Sequence, residues 1–204
     1  MSPPAMLSAL DEPEPAAPPR VPPEAGLEAR LAAVLPADAD PRVRAVGELW
    51  LAIRPEPARL PGRRHFDPLR IEPRVLPYLW LLDVEREPRL RFRYRLLGTA
   101  HVLAMGGDFT GEYLDLAHPA FLESASHADY VSVAAGYPSY RRGKPTFHMD
   151  KSYLAMERLA LPLAEDGERV NMLLAITVYA RAEPAPGAEP VLERDPIKLN
   201  RIKL

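Results

Sequence analysis

Between Arg89 and Leu97 apolar and charged residues alternate without a break, with Leu90, Phe92, Tyr94 and Leu96 in one set and Arg91, Arg93 and Arg95 in the other. A period of two marks a strand with one buried face. The run before it, Tyr78 to Val84, is apolar almost throughout and reads as a buried strand. Glu85-Arg86-Glu87-Pro88 is a turn between them, so the pair forms a hairpin. Three more strand-like segments come later. Tyr137 to Tyr153 holds the first, interrupted by Arg141-Arg142-Gly143-Lys144-Pro145, and Leu154 to Leu163 is the second. Arg169 to Tyr179 is the third, after the turn Glu165-Asp166-Gly167. In it Val170, Met172, Leu174, Ile176 and Val178 are expected to alternate inward.

Elsewhere the period lengthens to that of a helix. Leu27, Leu31, Val34 and Leu35 predict a short amphipathic helix over 26–35. Asp40-Pro41 supplies an N-cap and a first helical residue. Val43, Val46, Leu49, Trp50 and Ile53 then follow at helical spacing, up to a stop before Pro55. Asp67-Pro68 opens a second short helix to about Leu76, and Gly98 to Met105 a third, ended by Gly106-Gly107. Pro119 to Gly136 reads as one longer helix, with proline at its first position and glycine past its end. The order is helices, two strands, helices, three strands. It predicts an α+β layer fold with a five-stranded antiparallel sheet, helices on one face, and flanking N-terminal helices.

Composition sets the boundaries. The chain has 204 residues, enough for one domain with a real core. Its 25 prolines gather toward the two ends. Residues 1–40 therefore read as a disordered or partly helical Pro-rich lead-in, 41–181 as the domain, and 182–204 as a Pro-rich, then basic tail. Residues 1–40 set two arginines against seven acids. The segment 191–204 sets Arg194, Lys198, Arg201 and Lys203 against Glu193 and Asp195, with interspersed apolar residues that suit a docking tail. A net charge of −2 gives no general pull toward nucleic acid. No cysteine is present, which removes disulfides, thiolate metal sites and Cys nucleophiles. No apolar run nears the ~20 residues of a membrane span, and the N-terminus lacks a signal-peptide pattern. A cytoplasmic location is expected.

Six segments in order carry a family resemblance. They are Trp50-x-x-x-Arg54; Leu60-Pro61-x-Arg63-Arg64-x-Phe66-Asp67-Pro68; Leu76-Pro77 with Leu81-Leu82-Asp83-Val84; Phe92-Arg93-Tyr94-Arg95-Leu96-x-Gly98-Thr99; Gly107-Asp108-x-Thr110-Gly111; and Glu157-Arg158-Leu159-x-Leu161-Pro162-Leu163. Together they resemble a bacterial subfamily of single-domain PAS-type sensory proteins, over about 41–181. The resemblance implies a PAS fold and a role in signal input, and it brings no catalytic residues with it. A PAS fold often places a ligand cavity between sheet and helices. Here Phe92, Tyr94, Leu96, Met105, Phe121, Ala128, Met172 and Leu174 are the candidates to line it, and plain core is the other reading of the same residues. Tyr94 stands out, because a buried hydroxyl needs a partner.

Other chemistry finds little support. Arginines and aromatics of the 89–97 strand point to opposite faces, so they cannot jointly hold a nucleic-acid base; their face suits a cover by the 41–53 helix or by a second subunit. Gly106-Gly107-Asp108-Phe109-Thr110-Gly111 lacks the Lys-Ser/Thr of a phosphate loop. His65-x-Asp67 and His148-x-Asp150 each offer two ligands, where a metal site needs three or four. Ser124, Ser126, His127 and Asp129 share a helix without the partners of a triad. Phased from Phe121, that helix puts Ala125, Ala128, Ser132 and Ala135 toward the pocket and His127 away from it, which disfavours haem through His127; His101 stays open. The expectation is a non-enzymatic sensory or adaptor protein, binding a small molecule or a signalling protein and forming a homodimer through the 41–53 helix. A ligand-free interaction module and a small enzyme using the same cavity are the alternatives. The cofactor, if any, is left unnamed.

Overall fold

The computed structural model describes residues 25–145 and 154–181. The Pro-rich lead-in to residue 24, the tail 182–204, and segment 146–153 with His148 and Asp150 lie outside the described residues. Strands β1 (Leu79–Glu85), β2 (Arg91–Leu97), β3 (Ser139–Gly143), β4 (Leu154–Leu163) and β5 (Met172–Arg181) form one antiparallel sheet in the order β2-β1-β5-β4-β3. The hairpin and the later meander join where Leu79 to Asp83 pairs with Met172 to Ile176, so the first and last strands lie side by side near the centre.

Helices cover both faces of this sheet, a helical layer on one and the flanking N-terminal helices on the other. Paired residues on neighbouring strands share a face. Trp80 pairs with Ala175, Leu82 with Leu173 and Tyr94, Val84 with Phe92, and Thr177 with Arg158. This face, here the inner one, meets α3 (Thr99–Met105), α4 (Leu114–Ala117) and α5 (Ala125–Ala134). The outer face carries Leu81, Leu174 and Leu161 in one row and Ile176 beside Leu159 in the next. It lies under α2 (Pro41–Ala52) and α1 (Leu27–Val34). A Cβ on Gly47 of α2 would stand 3.2 Å from Leu31 and Leu35 and 3.3 Å from Leu159, so the glycine sets how closely these layers approach. Trp50 is fully buried and donates from Nε1 to the Pro162 carbonyl at 2.8 Å. Asp40 caps α2 as expected, its Oδ1 accepting from the Arg42 N–H at 2.8 Å.

Several expectations shift at this level. Leu27 and Leu31 are buried in the common core, so the folded body takes in α1 and begins well before residue 41. Of the stripe Val43, Val46, Leu49, Trp50 and Ile53, all but the half-buried Leu49 are buried in the chain's own core. Residues 68–76 hold no continuous helix; 3-10 turns at Pro68–Arg70 and Leu76–Tyr78 replace it, and Ile71 and Val75 between them enter the core. Pro119–Phe121 is likewise a separate 3-10 turn, and α5 starts at Ala125. The break resets the helical phase, so Ser126, Tyr130, Val133 and Ala134 are buried while Ala128 and Ala135 are exposed. In β2 the register slips between Leu81 and Leu82, whose partners are Leu96 and Tyr94. Arg95 is the extra residue of a bulge, which turns Leu96 to the outer side at 44% exposure and puts Leu97 opposite Trp80. Gly98 follows directly, where a Cβ would lie 2.3 Å from the Pro77 carbonyl oxygen.

Because α1 belongs to the core, Leu31→Ala should cost about 2–4 kcal/mol. Urea unfolding followed by circular dichroism measures this, and a cost within ~0.5 kcal/mol of zero would place α1 outside the cooperative unit.

Candidate functional site

The inner face has an unusual composition. Around the apolar Phe92 and Phe121 it buries Arg158, Ser126, Thr177, His101 and His118, together with the hydroxyls of Tyr94 and Tyr130. Buried polar groups are costly unless each finds a partner. The Trp80 indole donates to Thr177 Oγ1 at 2.9 Å. Its ring stacks on His101 at 5.2 Å between centroids, and His101 Nδ1 in turn meets the Tyr179 hydroxyl in a short hydrogen bond. Tyr94 Oη lies 3.1 Å from His118 Nε2, and the His118 ring packs edge-on against Phe109 at 5.0 Å. Tyr130 meets Trp80 and Phe92 edge-on, each at 5.8 Å.

Arg158, on β4, ties this cluster to α5. Its Nη1 donates to Tyr130 Oη at 2.7 Å and to Ser126 Oγ at 3.1 Å, and its Nη2 to Asp129 Oδ2 at 2.8 Å. The guanidinium also lies over the Tyr130 ring, 4.7 Å from its centre. Residues 126, 129 and 130 are spaced three and four apart, which sets all three on one side of α5. Arg141 of β3, paired with Arg158 in the sheet, donates from Nε to the same Asp129 oxygen at 2.8 Å. Arg158 Nε is buried and meets no acceptor among the described residues.

Burial is the main influence on the tyrosines here. It holds Tyr94 well above the ordinary phenol value, with Tyr130 and Tyr179 adding to the effect. Burial likewise raises Tyr179, with Tyr130 next, and raises Tyr130 against the opposing pull of Arg158.

The eight residues read from the sequence as pocket candidates divide four ways. Phe92, Tyr94 and Phe121 meet on the inner face, with Phe92 and Phe121 edge-on at 6.2 Å. Met105 is buried at the end of α3. Met172 and Leu174 are buried on the outer face, away from the first group, because the inward residues of β5 are Leu173, Ala175, Thr177 and Tyr179. Leu96 and Ala128 are exposed, through the bulge and the reset helix described above. His127, assigned to the far side of its helix, instead packs edge-on against Phe121 at 5.3 Å. Arg158, Tyr130, Thr177 and His118 are absent from the candidates read from the sequence, and Asp129 enters there only as a possible triad member. A usable signal was present in Arg158 and Thr177, a charge and a hydroxyl inside otherwise apolar strands.

Away from this cluster, Arg91, Arg93 and Arg95 of the edge strand β2 pair with acids, Arg91 with one on α4 and the other two with ones on β1. Arg91 bonds Asp115 at 2.8 Å, Arg95 reaches Asp83 at 3.5 Å, and Arg93 stands 2.9 Å from Glu85 without hydrogen-bond alignment on Nε. The pairs of Arg93 and Arg95, solvent-facing on the arginine side, contribute little each. An open cleft of about 530 Å³ lies at the strand turns, lined by Val84, Glu85, Arg86, Glu87, Glu165, Asp166, Arg169 and Asn171. Two of its charged groups are engaged in local structure: Arg86 donates to the Val170 and Ala134 carbonyls, and Asp166 accepts from the backbone of 168 and 169. Among the described residues no group of three His, Asp or Glu side chains is placed to hold a metal, and no helix is long and apolar enough to cross a membrane.

The chain matches no protein-family model, and neither a curated protein nor a solved structure shows significant similarity to it. Its geometry defines an α+β protein with a five-stranded antiparallel sheet between two helical layers. One of those layers closes over a polar, aromatic cluster anchored by Arg158.

A tyrosine whose folded value is raised favours the native state fully below its unfolded value of about 10, and that contribution is lost as pH rises through the folded value. Tyr94, Tyr130 and Tyr179 should therefore stay protonated past pH ~10 and ionise in a step that coincides with unfolding. Phenolate absorbance and circular dichroism, followed together, measure it. Smooth ionisation of all eight tyrosines with native circular dichroism retained would contradict the burial argument.

Proposed function

We propose that this chain is a PAS-type sensory or adaptor protein that binds a small molecule at the inner sheet face and signals by protein–protein contact, without catalysis. The element order supports the PAS reading: a hairpin, a helical excursion, then a three-strand meander returning beside the first strand. The observation that carries the binding reading is the inner-face cluster. A face built only for stability is best filled with apolar side chains, since a buried ion pair is at most weakly stabilising against a hydrophobic replacement. Here Arg158, Tyr130, Tyr94, His118 and His101 occupy the layer between sheet and helices. They offer a ligand aromatic walls and directional donors, the usual makings of a small-molecule site. A ligand that bonds differently to the cluster when α3–α5 shift would bias the two arrangements, which is what a sensor requires. The surface of the shifting layer, alone or in a homodimer, then carries the signal to a partner.

Native mass spectrometry of the full-length protein reads bound ligand and oligomeric state together. The expected spectrum shows a retained small-molecule adduct, lost or reduced in Tyr94→Phe while the unfolding free energy changes by less than ~1.5 kcal/mol. A bare chain from every preparation, with no stabilisation by any compound in a metabolite panel, would overturn the reading.

A further inference from the structure

One edge of Arg158 is half filled. A guanidinium presents Nε and Nη2 along one side, spaced to meet a carboxylate. Two other arginines of this chain use that edge in full: Arg42 on Asp40 at 2.9 and 2.7 Å, and Arg91 on Asp115 at 3.2 and 2.8 Å. In Arg158, Nη2 donates to Asp129 Oδ2, while Nε is shut off from solvent and meets no acceptor among the described residues. Arg141 donates its Nε to that same oxygen. Two guanidiniums thus converge on one carboxylate oxygen. The cluster thus sets two cations against one anion. Burial is graded across the cluster: the Arg158 side chain is 3% exposed, and those of Asp129 and Arg141 are each 18% exposed. The solvent side of the cluster is therefore the side of Arg141 and Asp129.

We infer that this cluster is the anchor for a small organic carboxylate, which takes the Nε–Nη2 edge of Arg158 while Asp129 is left to Arg141. The inference rests on the ligand-binding reading above and gives its ligand a chemical class. The Tyr130 ring beside the guanidinium favours an acid carried on a planar group. Asp129 is the resident competitor: it holds the site when no ligand is bound and sets how strongly an incoming anion must bind to displace it. Release of Asp129 frees one of the bonds that hold α5 to the sheet, so the same exchange links occupancy to the helical layer.

Calorimetric titration of the full-length protein with benzoate tests this, with benzamide as the neutral isostere and inorganic phosphate as the competing oxyanion. Benzoate is expected to bind, benzamide not, and phosphate roughly tenfold more weakly than benzoate because its geometry does not match a planar edge. Asp129→Asn should tighten benzoate severalfold, since it removes the competitor. Arg141→Gln should weaken it severalfold, and Arg158→Lys roughly tenfold, because lysine keeps the charge and loses the edge. If Arg158→Lys does not fold, Asp129→Asn and Arg141→Gln decide, both lying on the solvent side. Equal binding of benzoate and benzamide, or no tightening in a folded Asp129→Asn, overturns the inference. Phosphate binding more tightly than benzoate overturns the ligand class. A neutral adduct in the native mass spectrum, with no benzoate binding, overturns this inference and leaves the sensory reading standing.

Discussion

A guanidinium buried between a sheet and a helix cannot neutralise itself, so its surroundings must supply what water no longer does. Arg158 imposes that constraint on the inner layer. Three α5 side chains, Ser126, Asp129 and Tyr130, meet it from one side of the helix. That demand, together with the 3-10 turn at Pro119–Phe121, fixes how α5 is rotated. With those residues turned to the sheet, Ala128 has to face solvent. Removing one partner of such a buried pair usually costs about 3–5 kcal/mol, since the other is left as an uncompensated charge. The position of α5 is thus coupled to a handful of directional bonds as well as to the apolar contacts of Tyr130, Val133 and Ala134.

The outer layer is built on the opposite principle. Leu81, Leu161, Leu174, Ile176 and Leu159 give it an apolar surface, and α2 lays Val43, Val46 and Trp50 against that side with Gly47 admitting close approach. Its one buried polar anchor of note, the Trp50 indole on the Pro162 carbonyl, is satisfied by backbone. Stability in this layer comes from area removed from water, which is non-directional and changes little with small shifts. The central strands are therefore buried on both sides, and this accounts for the near-continuous apolar runs in β1, β4 and β5.

Those runs also explain what was and was not legible in the sequence. The strands, the hairpin and the α2 start at Asp40-Pro41 were readable, because alternation and capping chemistry are local signals. The assignment of faces in β5 was not. When both faces are apolar, a period of two fits Met172, Leu174 and Ile176 as well as Leu173 and Ala175, and only pairing to neighbouring strands chooses between them. The bulge at Arg95 escaped for a related reason: Leu96 and Leu97 are both leucine, so either fits the inner face and the slip leaves no mark in the pattern. Of the candidate site, Phe92, Tyr94 and Phe121 were visible as aromatics on one strand face and one helical turn. Its polar half was hidden, because partners such as Arg158 and Asp129 are 29 residues apart in sequence and no local pattern joins them.

The contrast between the two layers bears on how a signal would cross the molecule. An apolar interface loses contact area steeply when it opens, and its layers move as a block or not at all. A hydrogen-bonded cluster can exchange one partner for another of the same chemistry at small net cost, because each bond is worth only about 1 kcal/mol beyond the bond that replaces it. On the proposed function, change therefore belongs to the α3–α5 side, and the α1–α2 side is the frame against which it is read. Asp129 ties that side to the sheet, since it joins α5 to β4 through Arg158 and to the edge strand β3 through Arg141. A ligand that displaces Asp129 from Arg158 alters the tie between α5 and the centre of the sheet while leaving its tie to the edge. The helix would then pivot about β3, and the outer layer would have no reason to move.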